Sequence, residues 1–285
     1  MRVLITGANA GIGKAAAMKL VKNGHTVLAG SRDKVRGEAA LKELREVSGS
    51  TKAKLVLIDM SSAQSIRHAA REIIAEGGAD VLINNAADFD LRVKLPEKSV
   101  DGVERVWMTN HICPALLVKE LLPALQQSGD ARIITISSKG LRLQPFRKIR
   151  FHDPEYETGS YSVPAAYYQS KLAQVMYTFH LAKELSANGI AVYGVEVTNV
   201  KIDLNRYGGL SPFLRWAYAM KSRFSITPSQ MAETYCYLTE APRSELTAGA
   251  FYNEHNKVVS TSVYGRDPAQ IRRLVEVTEE YLLRL

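Results

Sequence analysis

Thr6-Gly7-Ala8-Asn9-Ala10-Gly11-Ile12-Gly13 joins a short apolar run (residues 2–6) to an amphipathic stretch (residues 12–23) that stops at Gly24. A glycine at 7 permits a tight exit from a strand. One at 11 lets the backbone approach a bound group closely, and one at 13 lets the following helix pack against the strand. A helix that starts here points its unpaired N–H groups and the positive end of its dipole back at the turn, which suits a diphosphate. The segment therefore reads as strand, phosphate-binding turn and helix, in the order a dinucleotide site requires.

The same alternation continues outward. Residues 26–30, 54–58, 81–84, 132–136 and 190–195 are further apolar, β-rich runs, and a charged helix is expected over 34–47. Strands with no polar alternation are buried on both faces, and the intervening stretches are long enough for parallel crossovers. The expected fold is α/β, a Rossmann doubly wound parallel sheet of about seven strands with helices on both faces. With no linker or internal repeat, residues 1–285 are expected to form a single domain. Two loops, at about 139–164 and 203–227, exceed what the scaffold needs and follow strand ends, where open parallel sheets bind ligands.

Of the 285 residues 46% are hydrophobic, enough for a substantial core, and the net charge is +8. A polyanionic cofactor accounts for that charge without nucleic acid. Cys113 and Cys236 are too few for a disulfide framework, so a reducing, cytoplasmic setting is expected. The apolar run at 2–6 is too short for a signal peptide, and no run of eighteen apolar residues predicts a transmembrane segment. His111, His152 and His180 have no ligand spacing, so no metal is expected.

Tyr167 and Lys171, in Tyr167-Tyr168-Gln169-Ser170-Lys171, lie one helical turn apart on one face. An ammonium near a phenol stabilises the phenolate and makes proton exchange with a substrate oxygen feasible near neutral pH. With 13 tyrosines in the chain, about one such pair arises by chance, so its weight comes from context.

The turn spacing T-G-x-x-x-G-x-G and the Tyr-x-x-x-Lys pair resemble the short-chain dehydrogenase/reductase family over essentially the whole chain. That resemblance implies an oxidoreductase moving a hydride between a nicotinamide and a carbonyl or alcohol. It implies Ser138, ending Arg132-Ile133-Ile134-Thr135-Ile136-Ser137-Ser138, as donor to the substrate oxygen, and Asn110 as a relay to the lysine. Cofactor contacts are implied at Thr6, Gly7, Asn9, Gly11, Ile12 and Gly13, at Asp59 and Met60, at Asn85-Ala86-Ala87, at Tyr167 and Lys171, and at Val200. Ser31 falls where an NAD site carries a carboxylate, and Arg32 follows it. A guanidinium there pairs with a 2′-phosphate, so NADP(H) is expected.

Within the family the chain resembles the retinol dehydrogenase and WW-domain oxidoreductase branch at Asn110-His111, Phe151-His152-Asp153 and Pro212-Phe213-Leu214-Arg215-Trp216. This implies a bulky apolar alcohol or carbonyl as small-molecule substrate, and family resemblance implies a homodimer or homotetramer. The chain departs from the family after the sixth strand. Val197-Thr198 and Ile202 replace a Pro-Gly pair and a hydroxyl residue, and Ala87 replaces a glycine.

Residues 210–224 (LSPFLRWAYAMKSRF) read as a lid, an ordinary core-facing helix, or an interfacial helix making peripheral membrane contact. Lys139, Arg142, Arg147, Lys148 and Arg150 form a solvated basic loop or guide an anionic substrate. The departures at the sixth strand keep two other functions in view: a nicotinamide-binding sensor with little turnover, and a non-redox epimerase or dehydratase.

Overall fold

In the computed structural model the described residues are 1–201 and 225–285. The strands are β1 (Arg2–Ile5), β2 (Thr26–Ser31), β3 (Ala53–Leu57), β4 (Val81–Asn84), β5 (Arg132–Ser138), β6 (Ala191–Val197), β7 (Phe251–Tyr252) and β8 (Val258–Val259). They form one sheet in the order β3-β2-β1-β4-β5-β6-β7-β8. Neighbours from β3 to β7 are parallel, and β8 returns antiparallel to β7. The described residues thus contain eight strands where about seven were expected. The extra one pairs only Phe251 with Val259 and Tyr252 with Val258, and two residues are too few to show a period.

The helices are α1 (Gly11–Lys22), α2 (Lys34–Ser48), α3 (Ala63–Ala75), α4 (Arg105–Trp107), α5 (Cys113–Gln126), α6 (Val163–Glu184), α7 (Pro228–Glu240), α8 (Val263–Arg266) and α9 (Pro268–Arg284). Successive strand residues point to opposite faces, and both faces are covered. Leu4, Leu28, Leu82 and Ile133 pack with Ile66 and Ile73 of α3, Leu116 and Leu121 of α5 and Leu172 of α6. Val3, Ile5, Val27 and Ile83 pack on the other face with Leu20 of α1, Leu44 of α2 and Met231 and Leu238 of α7. Each fully buried Leu, Ile or Val contributes roughly 1.5–3 kcal/mol.

The chain runs from central β1 outward to β3, then returns to place β4 on the other side of β1. That reversal opens a crevice beyond the carboxyl ends of β1 and β4. The loop expected at 139–164 begins as a short 3-10 helix, Lys139–Leu143, and ends where Ser162 caps α6. Most of the loop expected at 203–227 lies outside the described residues, as do Ile202 and the whole stretch 210–224. No described helix is long and apolar enough to cross a membrane.

Candidate active site

The glycine turn adopts the backbone its composition requires. Gly7 and Gly11 have φ of +67° and +56°, values that L side chains rarely adopt. A Cβ on Gly13 would stand 2.5 Å from Asn85 Nδ2 and 2.6 Å from the Gly7 oxygen. The turn is braced from β4: Thr6 Oγ1 accepts the Asn85 and Ala86 N–H groups, each at 3.0 Å. Asn85 Nδ2 donates to the Thr6 carbonyl at 2.8 Å. Ala8 N–H reaches the Gly30 carbonyl of β2 at 2.9 Å.

Helices α2, α3, α6, α7 and α9 begin with capping side chains, Asp33, Ser62, Ser162, Thr227 and Asp267. α1 has Ala10 as its N-cap, which offers no side-chain cap. Its first N–H groups are thus left to an incoming anion, and the cradle fits a diphosphate.

Beside the turn, Ser31 is buried and its hydroxyl is engaged by Asp33, donating to the carbonyl at 2.9 Å and accepting the N–H at 3.3 Å. Arg32 is exposed. Arg36, which the sequence reading did not single out, lines the cleft and lies 3.5 Å from Asp33. Asp59 accepts the Ser61 N–H and hydroxyl at 2.9 and 2.7 Å. The Met60 side chain belongs to the core, which leaves only its backbone for a ligand.

Ser138, Tyr167 and Lys171 converge on one cleft, which also takes in Asn9, Gly11, Ile12, Asn85, Ala87 and Val200. The cleft measures about 1610 Å3, above the roughly 300–1,000 Å3 that suits one drug-sized ligand. It has room for a dinucleotide and a substrate side by side. Ser138 ends β5, and its Oγ accepts the Gly140 N–H at 3.2 Å. Lys171 Nζ lies 5.7 Å from the Tyr167 ring centre. It donates to the Ile136 carbonyl and to Gln174 Oε1, both at 2.8 Å. Burial pushes the Lys171 ammonium down to about 7, because charge is disfavoured in a poorly polarisable interior.

Asn110 lies behind this cleft, fully buried, in a π-helical stretch, Met108–Ile112, between α4 and α5. Its Oδ1 accepts the Asp88 N–H at 2.7 Å, and its Nδ2 donates to the Asp88 carbonyl at 3.1 Å and to Ser170 Oγ at 3.0 Å. The side chain thus ties the loop after β4 to the residue preceding Lys171. π-Bulges of this kind are frequent at functional sites.

Three aromatic neighbours went unread in the sequence. Phe89 packs on Tyr167 with ring centres 4.5 Å apart, and Tyr168 meets it edge-on at 5.4 Å. Tyr235 of α7 donates to Asn85 Oδ1 at 3.1 Å, and burial pushes its phenol up. Phe89 and Tyr168, with Leu91, give the cleft an apolar wall. They sit in a loop and beside a motif, where no period distinguishes them.

The strand end that departs from the family's pattern also faces the cleft, through Val197, Thr198, Asn199, Val200 and Lys201. It is held in register, because Ile226 N–H donates to the Asn199 carbonyl at 3.0 Å and Lys201 N–H to the Ile226 carbonyl at 2.9 Å.

The basic loop after Ser138 is largely turned to partners within the chain. Arg142 pairs with Glu196 at 2.8 Å, Lys139 with Glu254 at 3.3 Å and Arg150 with Asp153 at 2.7 Å. Arg147 donates to Gln144 Oε1 at 2.9 Å. Of the five cations only Lys139 lines the cleft. His111 bonds Thr278 at 2.8 Å and His152 approaches Arg273 at 3.3 Å.

Residues 1–147 match the family model described as short chain dehydrogenase. Retinol dehydrogenase 11 of Mus musculus is 34% identical over 282 residues, covering 98% of this chain and 85% of its own length. Retinol dehydrogenase 14 of Homo sapiens is 33% identical over 267 residues, covering 88% and 77%. Among solved structures, an uncharacterised protein of Mycobacterium paratuberculosis superposes with a TM-score of 0.72 at 26% identity, covering 98% of this chain and 92% of that one. A candidate NAD(P)-dependent gluconate 5-dehydrogenase of Beutenbergia cavernae, with NADP bound at low occupancy, gives 0.66 at 25% identity, covering 89% and 94%.

Proposed function

This chain belongs to the short-chain dehydrogenase family, and from that premise we propose that it is an NADPH-preferring oxidoreductase acting on a bulky apolar alcohol or carbonyl. The observation that carries this reading is the meeting of Ser138, Tyr167 and buried Lys171 in the cleft that the glycine turn opens into.

The uncapped start of α1 and the turn from Gly7 to Gly13 would hold the diphosphate of the cofactor. Arg32, just ahead of α2, and Arg36 in its first turn would meet the 2′-phosphate. Lys171 would hold the nicotinamide ribose, and Val200 and its neighbours, which line the cleft, would face the ring. Bound NADPH supplies the hydride that reduces the carbonyl carbon. Ser138 Oγ donates a hydrogen bond to the carbonyl oxygen as it gains charge. Tyr167 gives that oxygen its proton, and the Lys171 ammonium stabilises the phenolate left behind. Phe89, Leu91 and Tyr168 supply an apolar wall for a long alcohol or aldehyde of the kind named in the retinol dehydrogenase relatives. The pairing of Lys139, Arg142 and Arg150 with carboxylates favours a neutral substrate over an anionic one.

Fluorescence titration with NADPH and NADH tests the cofactor half of this reading. Wild type is expected to bind NADPH more tightly, and Arg32→Ala to lose that preference by about tenfold or more while NADH affinity holds, since a charge-assisted contact is worth ~1.5–3 kcal/mol. Equal affinities in wild type would defeat the NADPH assignment. A sensor that binds the cofactor without turnover is the second reading, favoured by Val197-Thr198 at the nicotinamide strand. Net consumption of NADPH with a carbonyl substrate rejects it.

A further inference from the structure

Lys171 is 1% exposed, and burial is the cause of its lowered pKa. Two neutral oxygens hold its ammonium, the Ile136 carbonyl and Gln174 Oε1. Gln174 lies three residues farther along α6, on the same face. Only its carbonyl end can face an ammonium, because the amide nitrogen is itself a donor. The orientation of the amide is therefore fixed, and Nε2 points elsewhere.

Gln174 Nε2 is buried without a hydrogen-bond partner among the described residues, and so is Asn84 Oδ1 at the end of β4. One is a donor and the other an acceptor. Both residues line an interior cavity of about 10 Å3, together with His111, Thr135 and Tyr177. That volume holds about one water. A buried polar atom left unpaired costs roughly 1–3 kcal/mol, so the two orphans and the space beside them specify an occupant. The titratable groups facing it carry no charge near neutral pH. Burial pushes His111 down to about 3 and the Tyr177 phenol up.

We infer that the cavity holds one ordered water, accepting from Gln174 Nε2 and donating to Asn84 Oδ1, and that Gln174, fixed by it, is a positioning residue for Lys171. The chain Asn84–water–Gln174–Lys171 links the end of the strand that braces the glycine turn to the ammonium beside Tyr167. Its consequence for catalysis rests on the reductase reading above, but the placement of Lys171 does not.

The test is an NMR titration of the purified, cofactor-free protein carrying 13C-labelled lysine, with Lys171→Met identifying the signal. Gln174→Met keeps the length and removes both amide atoms, and it is expected to lower the Lys171 midpoint by about one pH unit. Gln174→Glu places a carboxylate at the same distance and is expected to raise the midpoint by a similar amount. Midpoints that coincide in all three proteins, or that move in the same direction in both variants, overturn the proposal. A crystal structure is expected to show a water within about 3.2 Å of both orphaned atoms, and a dry cavity overturns the water. Wild type that turns over no carbonyl with NADPH would remove the reductase reading while the titration still decides the role of Gln174.

Discussion

Tyr167 is the residue whose chemistry depends most on its neighbours. Its ring packs against Phe89 on one side and meets Tyr168 edge-on, with Lys171 Nζ 5.7 Å from its centre. The aromatic contacts fix the ring, and in the proposed reaction the ammonium would supply the charge that makes its hydroxyl an acid of useful strength. Replacing Tyr167 by Phe keeps the packing and deletes only that hydroxyl. With any carbonyl substrate the wild type reduces, kcat is expected to fall about 10²–10⁴-fold, while NADPH affinity changes by less than about threefold, well under 1.4 kcal/mol. Steady-state rates beside a binding titration separate the two effects. Retained turnover would assign the proton to another donor. In the proposed reaction Ser138 has a different task, since its Oγ accepts the Gly140 N–H and its own proton could be offered to the substrate.

At the scale of elements, the glycine turn and the helices around it show what sequence could and could not disclose. The strand–turn–helix order was readable because each glycine answers a separate steric demand, and the structure locates those demands. Gly13 is the sharpest case: its missing Cβ leaves room for the Gly7 carbonyl and the Asn85 amide. Gly13→Ala is expected to cost about 1–3 kcal/mol of stability by overpacking and to weaken NADPH binding about tenfold or more as the turn shifts. Thermal unfolding and a cofactor titration measure the two losses, and an alanine variant that binds as wild type would mean the turn can yield without loosening its grip. The π-helical stretch at Met108–Ile112 had no such legibility. One extra residue in a helical turn leaves no period of its own, so Asn110 could be placed only by resemblance, and its bonds to Asp88 and Ser170 emerge only from the fold. Phe89 and Gln174 stayed hidden because contacts made across the molecule leave no pattern along the chain.

Across the whole molecule, α9 closes over the same helices that carry the site. Glu155, ahead of α6, accepts Lys98 Nζ at 2.8 Å, the Glu104 N–H at 2.8 Å and the Tyr281 hydroxyl of α9 at 2.7 Å. His111 makes a second link, between the π-helical stretch and α9. Its ring lies 4.7 Å from that of Trp107 and 5.6 Å from that of Tyr177. Thr278 gives its hydroxyl proton to the Leu274 carbonyl at 2.8 Å, so His111 Nε2 must be the donor to Thr278 Oγ1. Burial holds its pKa down at about 3, whereas the unfolded chain titrates near 6.5. Above about pH 6.5 neither state binds the proton, and His111 makes stability no steeper with pH. Between about 6.5 and 3 the unfolded state binds a proton that the native state refuses, so stability falls as pH falls through that window. At about pH 5 the loss attributable to this residue is about 2 kcal/mol. His111→Gln keeps a neutral donor for Thr278 and removes the titration. Urea unfolding at pH 7.5 and 5 is expected to show wild type losing about 2 kcal/mol more than the variant between the two pH values, because the carboxylates and the other histidines contribute equally to both proteins. Equal losses would mean that His111 takes up its proton in the folded state, and that the link between α9 and the active-site helices survives charging.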